Sequence, residues 1–124
     1  MVKIQCITID CRDPIALAQF WAQALGWEVG DGATDTEAYI EKNLGAANVD
    51  GYPDLLFIKT PDAKISKNRV HVDLRPENQL EEVRRLEEIG ATQIEIGQSD
   101  DSDTTWIVMA DPEGNEFCVL KALG

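Results

Sequence analysis

The stretch that decides the fold reads DPEGNEFC, from Asp111 to Cys118. Its Asp-Pro and Gly-Asn pairs are typical of a tight turn, because proline fixes φ while glycine and asparagine tolerate positive φ. Strand-like runs flank it, Thr104 to Ala110 before the turn and Glu116 to Ala122 after it. The pattern therefore predicts a β-hairpin that closes a sheet, with Cys118 in its second strand.

The first half of the chain has the order strand, helix, three strands. The β-branched run Val2 to Asp10 predicts the first strand, and Asp13-Pro14 is a helix start with proline at the first helical position. An apolar stripe at helical spacing follows and ends at Gly26. The three predicted strands are Trp27 to Gly30, Glu37 to Glu41 and Asp54 to Lys59.

The second half repeats that order. A strand is predicted at Arg69 to Arg75, and Pro76 with Asn78 opens a second helix that ends at Gly90. Its predicted apolar stripe consists of Leu80, Val83, Leu86 and Ile89. A strand from Thr92 to Ile96, an acidic loop from Ser99 to Asp103 and the hairpin complete the repeat.

This internal repeat predicts an α+β protein of two βαβββ modules. Together they form a curved mixed sheet with a concave pocket and with the helices on its outer face. Module 1 is predicted at residues 1–60, a linker at 61–68 and module 2 at 69–124, all within one domain. A sheet face left uncovered by its helix is where a ligand is expected.

Composition narrows the classes of function. The 124 residues are 44% hydrophobic and carry a formal net charge of −12, which argues against nucleic acid and anionic membranes as partners and suits a cationic ligand. The three cysteines are an odd number without CxxC spacing, as expected in a reducing compartment. With no membrane-spanning run and no signal peptide, the sequence predicts a cytoplasmic protein.

Strand alternation selects the residues predicted to face the pocket. His71 is the candidate general base, with Asp73 or Asp10 behind it to orient its ring. The alternative is a structural polar network, which includes an ion pair between Asp10 and Arg75. The predicted pocket residues beyond the catalytic candidates are Cys6, Thr8, Arg75, Trp106, Glu116 and Cys118.

Two of these pocket residues have a specific predicted part in binding. Trp106 offers an aromatic face on which a planar ligand stacks. Glu116 shares strand parity with Cys118, so it either holds a cation, acts as an acid or lies at the rim as a solvated carboxylate.

Four segments in this order resemble the vicinal oxygen chelate superfamily, which includes glyoxalase I, extradiol dioxygenases, and fosfomycin- and bleomycin-resistance proteins. The segments are Asp13 to Val29, Val70 to Pro76, Leu86 to Ala91 and Met109 to Leu120. The resemblance spans nearly the whole chain, and the terminal motif DPEGNEFC is similar to that of a glyoxalase-like branch. The resemblance also implies a homodimer.

The resemblance implies where a divalent metal would be held. Cys6 stands where the first-module histidine of the family usually lies, His71 at the second-module histidine, and Cys118 at the terminal glutamate. Because one position alone keeps its usual residue, the sequence predicts a metal-free pocket. The alternative is zinc, or another divalent metal, held by Cys6, His71 and Cys118.

The predicted function is binding of a small organic molecule without a cofactor, as in the bleomycin-resistance proteins that the chain resembles. One alternative is a divergent lyase or isomerase with His71 as general base. Another is a Cys/His zinc enzyme. Dioxygenase-like chemistry is a further activity that the resemblance implies.

Overall fold

The computed structural model describes residues 1–45, 49–94 and 106–123. The chain divides into two compact units, Met1–Ala63 and Lys64–Gly124. The boundary between the units falls inside the predicted linker 61–68. In the described residues, no helix has both the length and the apolar character needed to cross a membrane.

The first unit has the predicted order strand, helix, three strands. Its elements are β1 (Cys6–Cys11), α1 (Pro14–Leu25), β2 (Glu28–Val29), β3 (Glu37–Glu41) and β4 (Asp54–Lys59). They form a mixed four-stranded sheet of order β1-β4-β3-β2, in which β1 and β4 are parallel and the other pairs antiparallel. The βαβββ prediction for the first half is therefore confirmed.

Helix α1 begins and ends as its sequence predicts. The Asp13 side chain accepts a hydrogen bond from the Ala16 N–H at 3.1 Å, which caps the first turn. Gly26 ends the helix with a φ of 70°, a left-handed conformation that favours glycine. The helix packs against β3 and β4, and its buried residues are Pro14, Leu17, Ala18, Phe20, Trp21 and Ala22.

The predicted strand Val2 to Asp10 is wrong at its start, since β1 begins at Cys6. The register explains the difference, because Cys6 lies opposite Asp54, the first residue of β4. The Asp54 N–H still donates to the Gln5 carbonyl at 3.2 Å, but the residues before Gln5 lie beyond the end of β4, and Val2 is exposed.

The second unit repeats the architecture of the first. Its elements are β5 (Asp73–Leu74), α2 (Gln79–Glu88), β6 (Thr92–Gln93), β7 (Trp106–Ala110) and β8 (Glu116–Leu120). Their order in the sheet is β5-β8-β7-β6, with β5 parallel to β8 and the other pairs antiparallel. Ile96, the acidic loop and residues 104–105 of the predicted hairpin lie outside the described residues.

Two predictions for the second unit require correction. The strand predicted at Arg69 to Arg75 forms a ladder at Asp73–Leu74 alone among the described residues. Asp73 lies opposite Cys118, so the register places His71 level with Glu116, where β8 begins. Among the described residues, β8 begins at Glu116 and so does not reach the level of residues 69 and 70. The Cys118 N–H also donates to the Val72 carbonyl at 3.0 Å, just before the ladder.

The buried face of α2 is narrower than the apolar stripe that the sequence predicts. Val83 and Leu86 are buried, whereas Leu80 is 59% exposed and Ile89 is half-buried at the helix end. Three residues along an α-helix turn by about 300°, which is about 60° short of a full turn. Each member of the stripe therefore lies about 60° around the helix from the one before it. With Val83 and Leu86 at the centre, Leu80 and Ile89 lie about 90° to either side.

The two faces of the second sheet differ because side chains alternate along each strand. Phe117 and Val119 of β8, together with Met109 of β7, are fully buried. Helix α2 packs against β8. The alternate residues Glu116, Cys118 and Leu120 point to the other face of the sheet, where the candidate site lies.

Candidate functional site

The turn between β7 and β8 is held by one buried carboxylate. Oδ1 of Asp111 accepts hydrogen bonds from the backbone N–H groups of Glu113 at 2.9 Å and Asn115 at 3.0 Å, and Oδ2 accepts from the Asn115 amide at 2.9 Å. Gly114 has a φ of 87°, which glycine adopts without strain. The local sequence thereby fixes where β8 starts and which of its residues face the site.

A cavity of about 330 Å³ lies on the face of the second sheet to which Cys118 points. The ladders bring its residues together, since Cys118 is opposite both Asp73 of β5 and Val108 of β7, and Trp106 is opposite Leu120. The lining residues are Lys67, His71, Asp73, Trp106, Val108, Glu116, Cys118 and Leu120.

Three potential metal-ligating or acid–base residues meet in this cavity. One side-chain ligand atom from each of His71, Asp73 and Cys118 lies within 4.8 Å of the others. His71 Nε2 is 3.4 Å from Asp73 Oδ1, which is ion-pair distance but longer than a good hydrogen bond. Both side chains are partly solvated, so the pair is weakly held, whereas Cys118 is buried.

The environment of Cys118 keeps its side chain a thiol. Burial raises the pKa of the Cys118 thiol, and the neighbouring Asp73 carboxylate raises it further through its charge and a hydrogen bond. The charge of Lys67 opposes these effects, but the net direction is upward. At neutral pH the sulfur is therefore protonated, so Cys118 is not a ready nucleophile.

A segment that precedes β5, residues 64–68, holds Glu116 from outside the strand ladder. Lys64 Nζ lies 2.7 Å from one carboxylate oxygen of Glu116, and the Asn68 N–H donates to the other at 3.1 Å. The Asn68 side chain donates to Asn115 Oδ1 at 2.8 Å, and Lys64 also donates to the Ser66 carbonyl. This 64–68 strap is thus tied to the turn and to the first residue of β8.

The strap changes the titration of Glu116. Burial alone would raise the pKa of Glu116, but the hydrogen bond from Lys64 and the Asn68 N–H together outweigh it and lower the pKa below its ordinary value of 4.5. The carboxylate is therefore ionised at neutral pH, with its charge balanced by Lys64.

A lowered pKa in the folded state predicts a specific loss of stability in acid. The contribution of ionised Glu116 is fully present above its ordinary pKa and disappears as the pH falls through the lower folded-state value. We expect Glu116→Gln to lower the free energy of unfolding near neutral pH, and the difference from wild type to shrink in acid well below pH 4.5. Urea unfolding across this range measures it; a difference that does not vary with pH would contradict the prediction.

The predicted site residues fall into two groups. His71, Asp73, Trp106, Glu116 and Cys118 all line the cavity described above. The other predicted residues are Cys6, Thr8 and Asp10, which lie exposed on β1 of the first unit, and Arg75, which donates to the Lys121 carbonyl at 2.5 Å. The predicted link between Asp10 and His71 and the Cys6 ligand remain predictions.

Sequence reasoning missed three lining residues. Leu120 and Val108 could have been found, because Leu120 shares parity with Cys118 and Val108 lies opposite it in the hairpin. Lys67 gave no signal, because it lies in the strap, where no strand or helix periodicity applies.

The fold and this site define a glyoxalase-like domain. The model of the glyoxalase-like domain family matches residues 6–120, and the chain belongs to that family, within the vicinal oxygen chelate superfamily. The resemblance drawn from the four sequence segments is thereby confirmed. A search of curated proteins gave no significant match.

Several solved structures share the fold. A glyoxalase/bleomycin resistance protein/dioxygenase family enzyme from Burkholderia phytofirmans PsJN is 18% identical, with 98% of this chain and 100% of that chain covered and a TM-score of 0.68. A possible glyoxalase from Bacillus cereus is also 18% identical, with coverages of 97% and 99% and a TM-score of 0.66.

A third similar structure holds a metal. A mutant of the fosfomycin resistance protein FosX from Listeria monocytogenes, complexed with Mn(II) and a dihydroxypropylphosphonic acid, is 12% identical. The alignment covers 99% of this chain and 92% of that chain, with a TM-score of 0.67. At such identities the likeness establishes the fold alone.

Proposed function

We propose that this protein binds a small organic molecule in the cavity of the second unit, without a divalent metal. The observation that carries the proposal is the cavity itself, about 330 Å³ in volume and lined by Trp106, Val108 and Leu120 beside a few polar groups. Concave, largely apolar surfaces with a few polar groups are typical of small-molecule sites.

The state of the polar groups favours binding over covalent catalysis. Cys118 is held as a thiol, and the charge of Glu116 is already balanced by Lys64. A nucleophile needs a lowered pKa or an adjacent base that activates it, and a carboxylate tied to a lysine is a poor proton donor. These groups are suited to fixing the orientation of a ligand.

The donor chemistry does not suit the metal that FosX holds in its complex. Mn(II) prefers oxygen ligands, whereas a buried thiol occupies the β8 position opposite Asp73. Glu116, two residues before Cys118 on the same face, is bound by Lys64 and the Asn68 N–H. A hard divalent ion would have to break those interactions to gain a second carboxylate.

Zinc is the second candidate, because His71, Asp73 and Cys118 offer donor atoms within 4.8 Å of one another. A nitrogen, an oxygen and a sulfur ligand suit zinc, which would supply Lewis-acid chemistry there. In this zinc site Asp73 is the third ligand, where the sequence predicted Cys6. Zinc would have to displace the proton from Cys118, whose pKa is raised.

Metal content distinguishes the two candidates. Protein purified without a histidine tag and dialysed against a trace of zinc is expected to hold less than about 0.2 equivalents of metal by elemental analysis. Near-stoichiometric zinc that disappears in Cys118→Ser but persists in Cys6→Ser would overturn the metal-free proposal and establish the zinc site. The Cys6 variant also tests whether that cysteine is a ligand.

The lyase or isomerase alternative is favoured by the 3.4 Å approach of His71 and Asp73, since a carboxylate can orient an imidazole base. The two functions predict different behaviour of His71→Ala once a ligand is known. A binding protein loses affinity modestly, whereas an enzyme loses turnover while binding persists. Enzyme kinetics together with calorimetry on the same variant distinguish these outcomes.

A thermal-shift screen of small molecules tests the binding proposal directly. A ligand at about 100 times its dissociation constant stabilises the folded state by about 2.7 kcal/mol, which gives a clear rise in Tm. We expect Trp106→Ala to abolish the rise and Tyr52→Ala, which removes a similarly exposed ring from the first unit, to preserve it. If no compound stabilises the wild type, the proposal is wrong.

A further inference from the structure

We infer that the ligand of this cavity is an aromatic carboxylate, whose negative group is bound by Lys67 and whose ring stacks on Trp106. The inference rests on the proposed function and specifies the chemical class of the ligand. It concerns a residue, Lys67, that no strand or helix periodicity marks in the sequence.

The charged side chains that line the cavity differ in their partners. Glu116 is neutralised by Lys64 at 2.7 Å. Asp73 has His71 at 3.4 Å, and its charge and a hydrogen bond also act on the Cys118 thiol. Glu116 is thus neutralised by Lys64, and the contacts of Asp73 are with His71 and Cys118 rather than with Lys67.

Lys67 differs from the other lining charges. Among residues 1–45, 49–94 and 106–123, no carboxylate lies within ion-pair distance of its ammonium group. Lys67 nevertheless lines the cavity together with Asp73 and Cys118. An ammonium group that none of the described carboxylates neutralises favours an anionic ligand when it lines an apolar cavity.

The net charge of the chain favours a cationic ligand, in contrast to Lys67. The distance of each charge from the ligand decides which of the two effects is larger. A formal charge of −12 would attract cations over the whole surface. At physiological ionic strength, however, exposed charges farther away than about 8 Å are largely screened. A group in direct contact with the ligand is screened much less, so Lys67 determines the preferred sign and the distant carboxylates affect mainly the rate of approach.

The exposed indole of Trp106 indicates what the uncharged part of the ligand is. Trp106 is 44% exposed, although it lies in a strand whose next residues are increasingly buried. Leu120 lies opposite it, and Val108 is two residues further along the same face. An exposed indole beside two aliphatic side chains suits a flat aromatic ring, and the volume of about 330 Å³ is at the small end for ligand sites.

Three probes with one aromatic body and different charges test the inference. They are naphthoate, naphthalenemethanol and naphthylmethylammonium, titrated into the full chain by calorimetry. We expect naphthoate to bind about tenfold more tightly than the neutral alcohol, the effect of one charged hydrogen bond, and the cation to bind most weakly. The preference for naphthoate should weaken as salt is added.

Two lysine variants identify the group responsible. Lys67→Gln should lower the affinity for naphthoate to that for the alcohol. The affinity for the alcohol should not change. Lys59→Gln removes the same charge from an exposed lysine at the end of β4 and should preserve the tenfold preference. Melting temperatures of both variants verify that each is folded.

The outcomes separate this inference from the proposed function. If the alcohol binds as tightly as naphthoate, or the cation binds more tightly, the cavity still binds ligands but the assignment of an anion is wrong. A preference for naphthoate that survives Lys67→Gln also overturns the role of Lys67. If none of the three probes binds, the inference is wrong, and the thermal-shift screen then decides independently whether the cavity binds anything.

Discussion

Asp111→Ala is expected to lower the free energy of unfolding by about 2–4 kcal/mol, a large loss for a residue outside the strands. Asp111 is 4% exposed, and its carboxylate accepts bonds from two backbone N–H groups and from the Asn115 side chain. Alanine leaves these donors without their charged acceptor in a partly buried turn. Chemical denaturation followed by tryptophan fluorescence measures the loss.

Two control variants distinguish the effect of losing the hydrogen-bond network from the effect of losing a charge. Asp111→Asn keeps one carbonyl acceptor and should lose about half as much stability. Asp13→Ala removes an exposed carboxylate that accepts from Ala16 N–H at the start of α1 and should cost about 1 kcal/mol. Equal losses for Asp111→Ala and Asp13→Ala would show that the turn network contributes no more than an ordinary helix cap.

Phe117→Ala should destabilise the second unit by about 3–5 kcal/mol. Phe117 is fully buried in β8, on the face that also contains Met109 and Val119. Truncation removes most of a large apolar side chain and leaves a cavity that the close-packed surroundings fill incompletely. A lower denaturant midpoint with an unchanged slope is the expected result.

Trp106→Ala provides the matched test on the other face of the same hairpin. The side chain of Trp106 is larger than that of Phe117 but 44% exposed, so its removal should cost about 1 kcal/mol or less of stability while ligand binding is lost. Phe117→Ala should therefore reduce mainly the stability, and Trp106→Ala should reduce mainly the ligand binding. A larger loss of stability for Trp106→Ala than for Phe117→Ala would mean that the two faces are assigned the wrong way round.

The order of elements could be predicted from the sequence because local signals mark the boundaries. Asp13 caps one helix and Asn78 the other, where its side chain accepts from Glu81 N–H at 3.0 Å. The Asp111 turn follows the same principle, since its donors and acceptor lie within a few residues of one another. Signals of this kind need no knowledge of the rest of the chain.

The site could be predicted only in part, because its geometry depends on strand register. Alternation placed Cys118 and Glu116 on one face, but the pairing of Cys118 with Asp73 joins strands far apart in sequence. The role of Glu116 depends on Lys64 and Asn68, which lie in a segment without periodicity. Neither the pairing of Cys118 with Asp73 nor the binding of Glu116 by the strap produces a pattern in the local sequence.

The parallel pairing of β5 with β8 also determines when the cavity can exist during synthesis. Parallel strands need a crossover, and here the partner of β5 is the last described strand of the second unit, β8. Until β8 leaves the ribosome, β5 lacks the neighbour with which it pairs, and such non-local pairings form late. Because Cys118 lies in β8, the binding cavity is incomplete until β8 has been synthesised and has paired with β5.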